Sequence, residues 1–142
     1  MLIGVDPLIR GSLLADLDLM GHGDALVICD SNFPARRMTG AEPHRLSVSG
    51  PAAVAALASL LPLDHEQPAL LMTSQPDDTL RRVQREMLAA TGADLSASFL
   101  DREAFYVVAM SAQVVVQANE PRAFANMVLR KGTVHVPDPT EP

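Results

Sequence analysis

A histidine held between two glycines, in Met20-Gly-His-Gly-Asp24, is the first group in this 142-residue chain with the makings of a catalyst. Its neighbours carry no side chains, so a ligand can approach both the imidazole and the backbone closely. An imidazole with an unperturbed pKa of about 6.5 can give or take a proton at neutral pH. Asp30 closes the apolar run Ala25 to Cys29. The carboxyl ends of strands are where α/β sheets bind ligands, and a carboxylate there accepts hydrogen bonds from hydroxyls, as a sugar site requires. Each signal also has a plainer reading, the first as a turn capped by its histidine and the second as an Asx-turn over Asp30-Ser-Asn-Phe-Pro34. Taken together, the two predict an imidazole and a carboxylate meeting at one concave spot.

His22, Asp24 and Asp30 are also metal-ligand types, but their spacing matches no compact motif such as His-Glu-x-x-His. The other histidines, His44, His65 and His135, fall in expected loops or the tail, so no metal is expected. No cofactor is expected either, because the chain has no Gly-x-Gly-x-x-Gly, no Walker loop and no Gly-x-Ser-x-Gly elbow. Cys29 is the single cysteine, which excludes an internal disulfide and a multi-cysteine zinc site and leaves a buried, inert thiol as the expectation.

The formal charge of −6 repels phosphate backbones and acidic membranes, so no nucleic-acid or membrane partner is expected. No apolar run approaches the ~20 residues of a membrane span, and the start lacks a secretory pattern, which predicts a cytoplasmic protein. The length predicts one domain, drawn over residues 1–132, with a Pro-rich tail over 133–142.

The elements that must position these groups alternate. The spacing predicts a helix from Ser12, as N-cap, to Met20, then a strand buried on both faces over Ala25 to Cys29. Ser31 to Pro43 has no periodicity and is expected as a surface loop. Pro51 opens a helix whose stripe is Val54, Leu57, Ala58 and Leu61, and Ala69 to Met72 is the second strand. Asp77 or Asp78 is the expected cap of a third helix ending at Gly92, with Arg81, Arg82 and Arg85 on its wet face. Asp101 caps a fourth helix, and Gln113 to Ala118 and Asn126 to Leu129 complete the strands. The predicted class is α/β, a single-domain sandwich around a mostly parallel sheet.

Five segments then converge. Leu19-Met-Gly-His-Gly-Asp24, Val27-Ile-Cys-Asp-Ser-Asn-Phe-Pro-Ala35, Arg102-x-x-Phe-Tyr106, Asn119-Glu120 and Ala125-Asn-Met-Val-Leu-Arg-Lys-Gly132 resemble the fucose mutarotase and ribose pyranase family, closer to its fucose branch. The similarity runs in family order from Leu8 to Gly132. It implies an isomerase that interconverts the anomers of a free monosaccharide without metal or nucleotide. It further implies His22 as proton donor, with Asp30, Arg102 and Asn126 binding the sugar and Phe124 beside them. Asp24, Tyr106 and Glu120 are auxiliary candidates. Ring-shaped homodecamers of two stacked pentamers, with sites at subunit contacts, are implied too. Two departures stand out: Phe124-Ala-Asn126 replaces the family's Tyr-x-Asn, and Val107-Val108 replaces the Glu-Arg that follows its Phe-Tyr. The missing phenol keeps open a sugar-binding module without turnover, and a ribose pyranase remains a further alternative.

Overall fold

The computed structural model describes residues 1–39, 42–73, 77 and 79–140. Strands β1 (Ala25–Cys29), β2 (His44–Leu46), β3 (Ala69–Met72), β4 (Ala97–Leu100), β5 (Val114–Ala118) and β6 (Met127–Arg130) form one sheet in the order β2-β5-β1-β6-β3-β4. Helices α1 (Gly11–Leu19), α3 (Gly50–Ala58) and α4 (Arg82–Ala90) cover one face, while α2 (Ala35–Thr39) and α5 (Arg102–Met110) cover the other. β1 explains the two layers. All five of its residues are buried, Leu26 and Ile28 facing the first group of helices and Ala25, Val27 and Cys29 the second. Such a strand has no solvent face, which is why its sequence is apolar without alternation.

The sheet is mostly parallel, as the sequence predicts, with one antiparallel strand, β6. β2 and β1 run parallel to β5, and β4 runs parallel to β3. β6 is antiparallel to both β1 and β3, between which it lies. An antiparallel strand starts where its neighbours end, so the first residues of β6 reach the carboxyl ends of β1 and β3. Met127 pairs with Ile28 on one side and with Leu71 on the other.

Several boundaries differ from the sequence reading. α1 starts at Gly11 with Arg10 as N-cap, so Ser12 lies inside the helix. The 31–43 stretch holds α2, begun after Pro34 and anchored by buried Phe33 and Ala35. α3 is capped by Ser49, whose hydroxyl accepts from Ala52 N–H, with Pro51 in the first turn, and it ends at Ala58, before Leu61. α4 begins at Arg82, later than a cap at Asp77 requires, and Asp77 instead accepts from Thr79 N–H. Asp78 lies outside the described residues. Asp101 does cap α5, accepting from Ala104 N–H at 2.8 Å. His44 belongs to β2 rather than a loop. Residues 133–140 are exposed and carry no helix or strand. Among the described residues no helix is long and apolar enough to cross a membrane.

Candidate functional site

Asp30 stands directly after β1, and Asn126 directly before β6, so the antiparallel insertion of β6 makes them neighbours. Asp30 N–H donates to Asn126 Oδ1 at 3.0 Å, and Asn126 Nδ2 donates back to Asp30 Oδ2 at 3.0 Å. Asp30 Oδ1 also accepts from Asn32 N–H at 3.0 Å, closing the Asx-turn. The side chains are 4% and 3% exposed. Burial pushes the Asp30 carboxyl above its usual range, while the hydrogen bonds from Asn32 and Asn126 act the other way. A buried carboxylate at the floor of a pocket can accept hydroxyl groups from a ligand.

A pocket of about 150 Å³ opens over this pair, lined by Asp30, Asn126, Arg102, Tyr106, Phe124 and Met72 among others. Arg102 is the first residue of α5 and exposed; a cation there opposes the helix dipole, a small local cost. Phe33 stacks edge-on against Tyr106, at 5.5 Å between ring centroids, and so braces the aromatic wall. Phe124 has φ 64°, the single positive φ outside glycine among the described residues. For a bulky side chain this is strained backbone, which persists only where its surroundings enforce it.

His22 is elsewhere in the same chain. It precedes β1 while Asp30 follows it, and the five residues of β1 separate them by roughly 16 Å of extended backbone. One chain therefore does not bring the imidazole and the carboxylate together. The turn that carries His22 is well made. Gly23 takes φ 82° and donates to Lys131 O at 2.8 Å, and Asp24 Oδ2 accepts from Gly21 N–H at 2.7 Å. The imidazole is 63% exposed, with Nε2 3.4 Å from the Asp64 carboxylate. Asp24 thus shapes the histidine turn rather than the pocket. Among the described residues no three His, Cys, Asp or Glu side chains are grouped to hold a metal ion.

With that geometry in place, a family model described as the RbsD / FucU transport protein family matches residues 3–134. The chain belongs to this family. Human fucose mutarotase is 34% identical over 143 residues, covering 92% of this chain and 93% of its own. The crystal structure of FucU from Bifidobacterium longum superposes with a TM-score of 0.81 at 36% identity, over 93% of this chain and 99% of the other. A fucose mutarotase from Streptococcus pneumoniae, solved in complex with L-fucose, superposes with a TM-score of 0.82 at 30% identity, over 94% and 100%.

Within this RbsD / FucU chain, Glu120 lies outside the pocket. Its carboxylate, 1% exposed, accepts from Arg122 Nε at 2.8 Å, Arg122 Nη2 at 2.9 Å and Gly50 N–H at 3.1 Å. The Arg122 guanidinium holds the Glu120 carboxyl down to about 2. Because the folded value lies below the ordinary 4.5, the stability this group supplies is complete above that value and disappears as pH falls towards about 2. Glu120→Ala leaves the buried Gly50 N–H without its acceptor and Arg122 with Glu86 alone, and is expected to cost about 1–3 kcal/mol, measured as a lower urea midpoint at neutral pH.

Three participants have no sequence signature. Met72 reaches the pocket because β3 lies beside β6, and Asp64 reaches His22 because its own N–H donates to Arg130 O beside the Leu63–Lys131 bridge. Arg81, assigned to a wet face, instead lies 4.3 Å over the Phe124 ring. All three depend on sheet order, which no local pattern encodes.

Proposed function

We propose that this chain is a monosaccharide mutarotase that interconverts the α and β anomers of a free sugar, L-fucose first among candidates. The isomerase class follows from full-length relatives that are fucose mutarotases. The observation that carries the sugar reading is the buried Asp30–Asn126 pair beneath an aromatic wall, with Arg102 at the rim. Carboxylate, amide and guanidinium satisfy hydroxyls, while an aromatic face packs against the apolar face of a sugar ring.

Anomer exchange opens the hemiacetal ring and recloses it on the other face of the carbonyl carbon. It needs an acid at the ring oxygen, a base at the anomeric hydroxyl, and a pocket that holds the remaining hydroxyls. Asp30, Asn126 and Arg102 bind, Phe124 and Tyr106 wall the ring, and His22 of a second copy moves the proton, its imidazole oriented by Asp64. The surface supports this assembly. Leu19, 81% exposed, lies three residues before His22, and Val107 and Met110, 63% and 59% exposed, sit on the helix that carries Arg102 and Tyr106. Docking one end of a copy on the other end of the next is a heterologous contact, which closes into a ring when the rotation permits. A decamer of two stacked pentamers fits that scheme.

Saturation-transfer NMR with L-fucose, D-ribose and D-galactose tests the reading. Faster exchange between α and β signals of L-fucose is expected. Sugar-induced protein shifts without faster exchange would favour a binding module, a second reading prompted by the missing phenol at Phe124, and a response confined to ribose would favour a pyranase. Phe124→Tyr is expected to tighten sugar binding by up to about tenfold, the worth of one added hydrogen bond, measured by titration calorimetry.

A further inference from the structure

Met72 and Phe124 form one wall of the pocket, and their backbone carbonyls share a single donor. Gln84 Nε2 donates to Met72 O at 2.8 Å and to Phe124 O at 3.0 Å, while its Oε1 accepts from Arg81 N–H at 3.0 Å. The side chain is 1% exposed, and its helix neighbours Val83 and Met87 fill the apolar core. A buried amide beside such residues is kept only by partners that meet its donors and acceptor, and these three meet them. The same helix grips the β5–β6 loop a second time, because Glu86 Oε2 accepts from Arg122 Nη1 at 2.6 Å, two residues before Phe124. α4 therefore holds both ends of a short segment whose backbone is strained at φ 64°.

We propose that Gln84 is a positioning residue that fixes the Met72–Phe124 wall against the Asp30–Asn126 pair, and so sets sugar affinity rather than the rate of proton transfer. This rests on the sugar-pocket reading above. Gln84 touches no reacting atom; it acts through two carbonyls whose side chains line the pocket.

The test is Gln84→Met in the oligomer as it exists, assayed by anomer exchange across a range of L-fucose concentrations beside the unaltered chain. KM is expected to rise about tenfold with kcat within about twofold, as for lost ground-state and transition-state binding alike. In a Phe124→Gly background, where positive φ carries no strain, the same substitution is expected to change KM less than about threefold. If Gln84→Met does not fold, Gln84→Glu keeps the acceptor for Arg81 N–H, loses both amide donors, and carries the same expectation. An unchanged KM, a fall confined to kcat, or full additivity with Phe124→Gly would overturn the proposal. No acceleration by the unaltered chain would instead count against the mutarotase reading on which it depends.

Discussion

His22→Ala is expected to abolish acceleration of anomer exchange, a drop of about 10²- to 10⁴-fold, while the circular-dichroism spectrum and melting temperature stay close to those of the parent. The size is that of one positioned acid or base, which suffices here because the uncatalysed reaction already proceeds in water. The fold should tolerate the change because the imidazole is 63% exposed and its partner is a single carboxylate at 3.4 Å. Sugar affinity, measured by titration calorimetry, is expected to change far less than the rate. Unaltered exchange in this variant would remove His22 from the mechanism.

Asp30→Ala is expected to weaken sugar binding by about 10- to 100-fold, since hydrogen bonds to a charged group are worth about 1.5–3 kcal/mol. The pH dependence gives an independent check. Burial raises the Asp30 carboxyl above 3.8, so the parent should begin to lose affinity on acidification at a higher pH than an ordinary carboxylate would dictate. The stability effect has the opposite sense. Between 3.8 and the raised folded value the native state holds its proton more tightly than the unfolded chain, so this group's contribution to stability falls as pH rises through that window. A residue that burdens the fold when ionised, yet is buried at a strand end under a pocket, fits the proposed role in binding better than a role in stability.

Much of this was legible in the sequence, for identifiable reasons. The sequence predicts Ala25–Cys29 and Ala69–Met72 with their observed boundaries because strands buried on both faces, or nearly so, spell themselves as short apolar runs. The Asp101 cap of α5 is a local device and was equally visible. β2 and β4 were not, because His44–Leu46 is a three-residue edge and Ala97–Leu100 is only half-buried, so neither carries an apolar signature. The antiparallel placement of β6 is a matter of topology, and it makes Asp30 and Asn126 neighbours across 96 residues of chain. The separation of His22 from Asp30 follows from the strand between them. Eight positions are close in sequence but lie at opposite ends of an extended element.

That separation leads to the most direct test of the account. His22→Ala and Asp30→Ala chains, each strongly impaired alone at subsaturating L-fucose, are co-expressed in equal amounts and the mixed oligomers assayed for anomer exchange at that concentration. If the imidazole of one copy serves the pocket of the next around a ring, a site is whole when an Asp30-bearing copy adjoins a His22-bearing one, which random assembly provides at about one site in four. Recovery of about a quarter of the parental rate is the predicted result; mixed oligomers no more active than the better of the two variants would contradict it.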